Sequence, residues 1–349
     1  MKIASAAGAL PKHRYNQEFL TKSIVDYWGN KVPNVRFLEQ LHAHMGVENR
    51  YLALPIEAYP GLKTWGQANR AWLDAAEELG ERAISVALER AGLSPHDLSA
   101  FFVVSVTGIA SPTLDAHLIN RMGLPLNIKR TPMFGLGCVG GASGLARVAD
   151  YVRAYPTQAA VLLSVELCSL TLQHDDLTTA NLISAGLFGD GAAAVIVCGA
   201  DRPAEGPRIL ATRSVFYPNT EHIMGWDISE KGFRIVLSAE VPQMAERNLG
   251  KDVDAFLQDA GLTRSAIGSW ILHTGGPRVL EATASALGLP RGALEVSWDC
   301  LRKTGNMSSA SVLLVLEEVM IHRRPSPGTF CLLVAMGPGF CSELVLLQW

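Results

Sequence analysis

The chain has 349 residues, of which 48% are hydrophobic and 18% charged, and its formal net charge is −3. That is ample for a large core in two domains or one two-part unit; with no basic cluster larger than pairs such as Lys129-Arg130 and Arg323-Arg324, nothing in it suits a nucleic-acid partner. No apolar run reaches the roughly 18 residues of a membrane span, the first residues lack the apolar stretch of a secretory signal, and six scattered cysteines form no CxxC pair, so a reduced cytoplasmic protein without disulfides or zinc is expected.

In chain order, the apolar patterning predicts a helix over Ala71–Ala91, a strand over Phe101–Ser105, a helix over Ala142–Ala154 and strands over Ala159–Val165 and Ala192–Cys198. Beyond Gly199–Arg208, a polar stretch rich in Gly and Pro, come a helix over Val241–Ala260, a strand over Trp270–His273 and helices over Pro277–Leu287 and Ser309–His322. Strands over Phe330–Met336 and Ser342–Leu347 close the chain. The runs are short and apolar on both sides, as in buried central strands, so the class is α/β and layered. The Gly199–Arg208 stretch divides the chain into halves, 1–203 and 204–349.

The two halves look like copies of one unit. Gly137-Cys138-Val139-Gly140-Gly141-Ala142-Ser143 opens a helix in the first, and Gly305-Asn306-Met307-Ser308-Ser309-Ala310-Ser311 opens one in the second. About thirty residues before each lies a strand ending in a small polar turn, Phe101–Gly108 and Ser269–Gly276. Such internal similarity implies corresponding loops that converge on one site.

Three residues could carry chemistry there. A free cysteine is ordinarily a small buried hydrophobe; Cys138 sits instead in a Gly-rich turn at a helix start, where backbone N–H groups and the helix dipole favour a thiolate and could hold an oxyanion. His273 ends a strand, where alone it would read as structural; the duplication brings it to the mouth that holds Cys138. Asn306 is either an N-cap or, beside His273, an amide donor to a thioester oxygen. The run His174-Asp175-Asp176 reads as a polar loop rather than a metal site.

Taken together, Cys138 in GLGCVGGASGL, Phe188 in GLFGDGAAA, His273 in WILHTGGP, Asn306 in TGNMSSAS and the turn Gly337-Pro338-Gly339-Phe340 resemble the chalcone-synthase-like type III polyketide synthases. The motifs run in that family's order from about Val47 to the end. The resemblance implies a thiolase fold, with duplicated αβαβα-type halves. It implies that Cys138 takes the acyl group from coenzyme A. His273 and Asn306 would then stabilise the oxyanion and assist decarboxylation of malonyl-CoA. Phe188, otherwise a core aromatic, would stand where the entry tunnel meets the cavity, and Gly337, Pro338, Gly339 and Phe340 would shape the cavity floor. Arg50 would touch coenzyme A phosphates or else lie on the solvated surface. No cofactor or metal is implied, because the acyl-CoA and malonyl-CoA substrates arrive activated.

The spelling of ENRYLALPIEAYPGL, SVTGIASPTLDAHL and SVELCSLTL is similar to that of bacterial enzymes making alkylresorcinols or alkylpyrones. On that likeness, compact Thr107, Ser111 and Cys168 would open a fatty-acyl tunnel, their plain alternative being packing, and Trp226 would close off a wide aromatic pocket. The expected partner is a second copy of the chain, with the Thr107–Pro112 loop near it, and an acyl carrier protein stays open as the starter's donor. Rival readings are an aromatic polyketide made from malonyl-CoA alone, a ketoacyl-synthase III-like enzyme that extends once, and a silent acyl-binding subunit. The second would usually carry Gln-Ala-Asn where this chain has Thr274-Gly275-Gly276; the third would be expected to lack Cys138, His273 or Asn306.

Overall fold

The computed structural model describes residues 1–32, 34–290 and 292–349. The first half opens with β1 (Lys2–Ala9); a small sheet of β2 (His13–Asn16) and β3 (Asn49–Leu52) flanks α1 (Gln17–Trp28) and α2 (Val35–Ala43). Then follow α3 (Trp65–Ala91), β4 (Leu98–Ser105), α4 (Leu114–Met122), β5 (Lys129–Phe134) and α5 (Gly140–Ala154). The half ends with β6 (Ala159–Leu167), α6 (Thr179–Leu187) and β7 (Asp190–Cys198).

The second half begins with β8 (Arg208–Phe216) and the hairpin β9 (Met224–Ser229) and β10 (Gly232–Leu237). It continues through α7 (Val241–Asp259), β11 (Ile267–Leu272), α8 (Pro277–Leu287), α9 (Glu295–Thr304) and α10 (Ser309–Ile321), and finishes with β12 (Phe330–Gly337) and β13 (Cys341–Gln348). The predicted helix at Ala71 begins earlier, at Trp65. Thr64 caps it, its Oγ1 accepting from the Gln67 N–H while its own N–H donates to Gln67 Oε1. Residues 65–70, Trp-Gly-Gln-Ala-Asn-Arg, show no apolar helical spacing, so a capping box sets the start instead.

Strand order shows the duplication. The main sheet runs β11-β12-β13-β8-β1-β7-β6-β4-β5. Outward from the β8–β1 seam, the second half presents its first strand, its last, its third and its second in chain order, and the first half its first, its last, its fourth, its second and, at the edge, its third. In both halves the inner pairs are antiparallel, while β11 with β12 and β4 with β6 are parallel. The seam is where Lys2 pairs with Arg208.

Alternation along the strands sorts the layers. Ala100, Phe102 and Val104 of β4 join α5, α10 and the inner face of β12 in one core, while Phe101 and Val103 join α3 and α4 in another. On the far side, Leu332 and Val334 of β12 pack with α7 and α8. Helices, sheet, central helices, sheet, helices is the resulting stack. Because α5 and α10 lie between apolar faces on both sides, their strands have no polar face to show.

The central helices touch where they begin. A Cβ on Gly141 would stand 2.2 Å from the Ser309 carbonyl oxygen. That contact brings the start of α5, and the Cys138 turn before it, against the start of α10 and the Asn306 turn before it. Gly141→Ala should therefore cost about 1–3 kcal/mol through overpacking, read as a lower midpoint at unchanged slope in urea unfolding; wild-type stability would mean that the helices separate at no cost.

Candidate active site at the seam

Cys138 stands in a single 3₁₀ turn, Gly137–Val139, that runs directly into α5. It is 6% exposed and lines a cavity of about 770 Å³ with His273, Asn306, Phe188 and Phe340. That size falls in the range of small-molecule sites. Apolar side chains from α6, β10, α7 and β12, Ile183, Leu187, Leu237, Val241 and Val334 among them, make much of the wall.

His273 follows β11, with its backbone N–H held by the Val334 carbonyl at 3.0 Å. Its ring is buried, and neither ring nitrogen has a hydrogen-bond partner among the described residues. Buried polar groups are nearly always paired, so this imidazole is kept for something that enters the cavity. Asn306 is fixed: its Oδ1 accepts from the Ser308 N–H at 2.8 Å, which leaves the Nδ2 amide as the donor free for the cavity. The backbone around it is strained at Ser308, whose φ is +45° without being glycine.

The expected thiolate is not what the free cavity favours. Burial pushes the Cys138 thiol up to about 12; hydrogen bonding from the Ser308 and Asn306 side chains pulls it down by less, and the Glu166 charge adds to the rise. Desolvation outweighs the helix start because the thiol sits inside the core rather than at an open helix end. Burial likewise lowers His273 to about 4. Thiol and imidazole therefore face the cavity neutral, a donor and an acceptor between which one proton can move.

Beneath them lies a group that the sequence reading passed over. Glu166, the penultimate residue of β6, is fully buried and is raised to about 7 by burial. It accepts from Thr107 Oγ1 at 2.9 Å, from the Val106 N–H at 3.1 Å and from the Ser309 hydroxyl at the start of α10. Ser164 reaches the same Ser309 oxygen at 2.6 Å. One carboxyl thus ties β6 of the first half to α10 of the second. A charged residue directly after the apolar run Ala159–Val165 was the available signal.

Several expected cavity residues lie elsewhere. Thr107 is spent on Glu166 and on the Leu167 N–H, and borders a separate polar cleft. Ser111 is exposed, in a loop with a cis Ser111–Pro112 bond. Cys168 lines a smaller cavity of about 120 Å³ behind Phe188. Trp226 packs on Phe233, while Met224, two residues earlier on β9, reaches the cavity wall. Gly337 and Pro338 do not line the cavity; they pack under the Cys138 turn, with Pro338 against Gly137 and Gly337 against Val139. Gly339 leads by a cis bond into Phe340, the one residue of that turn on the cavity wall, which stacks on Tyr217.

Arg50 is also not where a coenzyme would meet it. It is 4% exposed, donating from Nη1 to the Phe188 carbonyl and from Nε to Gln17 Oε1, each at 3.0 Å. The strand β3 turns it inward under α6. Of the polar run that could suggest a metal, Asp175 pairs with Lys231, and the described residues hold no cluster of three metal-ligand side chains. No described helix is long and apolar enough to cross a membrane.

A duplicated five-layer stack with its cavity at the seam defines a thiolase fold, and solved structures bear that out. The 1,3,6,8-tetrahydroxynaphthalene synthase of Streptomyces coelicolor A3(2), described as a bacterial type III polyketide synthase, superposes with a TM-score of 0.95 at 30% identity, covering 100% of this chain and 99% of that one. The chain belongs to the chalcone and stilbene synthases, matching their N-terminal domain over residues 4–202 and their C-terminal domain over 208–349. It is a type III polyketide synthase, an enzyme of the acyltransferase class. It is 52% identical over 350 residues to a 1,3,6,8-tetrahydroxynaphthalene synthase of Streptomyces peucetius subsp. caesius, covering 99% of this chain and 93% of that relative. It is 34% identical to a putative chalcone synthase of Bacillus subtilis, covering 99% and 98%.

The Glu166 carboxyl gives a signed pH effect. Its folded-state value, about 7, lies above the ordinary 4.5, so its contribution is fully present below pH 4.5 and is lost as pH rises through 7. Glu166→Gln removes that loss. Its stability relative to wild type should rise between pH 4.5 and 7 by up to about 3 kcal/mol, seen in melting temperatures across that range; a constant difference would mean that Glu166 titrates normally.

Proposed function

We propose that Cys138 carries the growing chain, that His273 and Asn306 stabilise the oxyanion, and that malonyl-CoA supplies starter and extender units for a polyhydroxylated aromatic product. The observation that carries the chemistry is the buried, unpartnered imidazole of His273 facing the same cavity as Cys138 and Asn306. The Cys138 sulfur attacks the thioester carbonyl as its proton passes to His273, and coenzyme A leaves as the thiol with that proton. A malonyl-CoA then loses CO₂, and the electron pair of the broken C–C bond moves onto its thioester oxygen, next to the Asn306 amide and the imidazole. Placing donors where charge develops is the main source of rate. The enolate carbon attacks the acyl group on Cys138, the sulfur departs, and the chain, longer by two carbons, now rides on coenzyme A until Cys138 recaptures it. Phe188, at the cavity wall, keeps water from the decarboxylating group.

Similarity to two tetrahydroxynaphthalene synthases supports the product class. A naphthalene skeleton has ten carbons, or five two-carbon units, each the remainder of one malonyl group after CO₂ is lost. A fatty starter has less support. Of the three residues expected to open a tunnel for it, none lines the Cys138 cavity, and the space beside Cys168 is only about 120 Å³.

The coenzyme's phosphates need cations at the mouth, and Arg50 is buried. Arg278, exposed in the first turn of α8, lines the cavity and forms no ion pair among the described residues, with His44 nearby on the same lining. A helix start with a free guanidinium suits a phosphate. A homodimer remains part of the reading: β5 is an open sheet edge next to Leu126, 95% exposed, and Phe134, 47% exposed.

Purified enzyme given malonyl-CoA alone, and then with acyl-CoA starters from acetyl to long-chain, tests the substrate reading by mass spectrometry of products. An aromatic product from malonyl-CoA alone is expected, absent with Cys138→Ala; a product only when a long-chain starter is supplied would overturn the malonyl-only part. Arg278→Glu should raise the KM for malonyl-CoA at least about tenfold, the worth of one charge-assisted hydrogen bond, with kcat nearly unchanged. An unchanged KM would remove Arg278 from the coenzyme site.

A further inference from the structure

A helix end leaves carbonyls that no helix residue can satisfy, and at the end of α6 those of Gly186, Leu187 and the following Phe188 are each taken by a different part of the molecule. Gln17 Nε2 donates to the Gly186 carbonyl at 2.6 Å, the Asn306 N–H to Leu187 at 2.9 Å, and Arg50 Nη1 to Phe188 at 3.0 Å. One turn back, His42 Nε2 holds the Leu182 carbonyl at 3.0 Å. The exchange with Asn306 is mutual, because the Gly189 N–H donates to the Asn306 carbonyl at 2.9 Å. Phe188 and Asn306 are thus joined as an isolated parallel bridge.

Arg50 lies against both sides of that bridge. A Cβ on Gly305, whose φ is +73°, would stand 2.7 Å from the Leu187 carbonyl oxygen and 3.2 Å from Arg50 Cγ; one on Gly189 would stand 3.8 Å from Arg50 Cβ. Gln17 then holds Arg50 Nε in place. The guanidinium also stands at the negative end of the α6 dipole, where a cation is favoured.

A buried guanidinium is a poor way to gain stability. Desolvating it costs several kcal/mol, and replacing a buried ion by an apolar residue of similar size is often neutral. Asp190, its nearest opposite charge by effect, spends its own oxygens on the Ala53 and Ser169 N–H groups. What Arg50 does supply is a fixed end to α6.

We propose that Arg50, braced by Gln17, is a positioning residue for the condensation: it fixes the backbone of Phe188 and, through the Phe188–Asn306 bridge, the placement of the Asn306 amide opposite Cys138. The inference rests on the catalytic reading given above for Asn306. It touches no substrate and acts through two residues that line the cavity.

The variants Arg50→Met and Arg50→Lys test it, with Val161→Ala, in the outer core, as a control for lost stability alone. Hydrogen exchange read by mass spectrometry should show Arg50→Met losing protection in peptides spanning 182–190 and 304–309 and nowhere else. With malonyl-CoA, its kcat should fall about 100-fold, the usual cost of a misplacement near 1 Å, while KM stays close to wild type. Early-released, shorter products should increase, and Arg50→Lys should recover part of the rate. Wild-type exchange in both peptides, or a loss of rate no larger than in a Val161→Ala enzyme of equal melting temperature, would overturn the proposal. If wild-type enzyme makes no polyketide, the catalytic reading fails, and the exchange pattern still decides whether Arg50 fixes the bridge.

Discussion

Gly141 and the Ser309 carbonyl meet at a distance that leaves no room for a side chain, and much of the molecule follows from that contact. Two helices can approach so closely only where one presents bare backbone. Once they do, the turns that precede them must lie side by side, and those turns hold Cys138 and Asn306. The sheets on either side then have to cover the pair, which produces the five layers and leaves their strands apolar on both faces. The site is therefore a consequence of how the duplicated halves pack, with each half supplying part of it.

Polar groups at that seam are few, and most of them are engaged. Glu166 crosses it to Ser309, and the end of α6 crosses it to Asn306. In a low-dielectric interior such bonds are strong when complete and costly when broken. The same dielectric keeps Cys138 and His273 neutral in the free protein, so a thiolate at Cys138 requires a proton to move within the cavity. Of the buried side-chain atoms left unpartnered among the described residues, those of His273 are the ones on the wall of the Cys138 cavity.

The parts of this arrangement legible in the sequence were those written in local pattern. The Gly-rich turns around Cys138 and Asn306 and the strand end at His273 disclosed both the duplication and the three groups that share the cavity. Strand β1 was not legible: KIASAAGA lacks a β-branched pattern and is a strand only because β7 and β8 flank it. Arg50, Thr107 and Cys168 were misplaced for a related reason. Whether a side chain on a short strand or turn faces a cavity, a neighbouring cleft or the core depends on tertiary packing, and spacing along the chain does not encode it. Trp226 shows how small the margin is, since Met224 on the same strand does reach the cavity.

The most direct measurement is of the enzyme caught in turnover. Samples mixed with malonyl-CoA, quenched in acid within seconds and digested, are read by mass spectrometry for acyl groups on each of the six cysteines. Adducts confined to the Cys138 peptide, in a ladder of two-carbon keto units, are the predicted result. Product formation with an unmodified Cys138 peptide, or with the ladder on another cysteine, would contradict the site assembled at the seam.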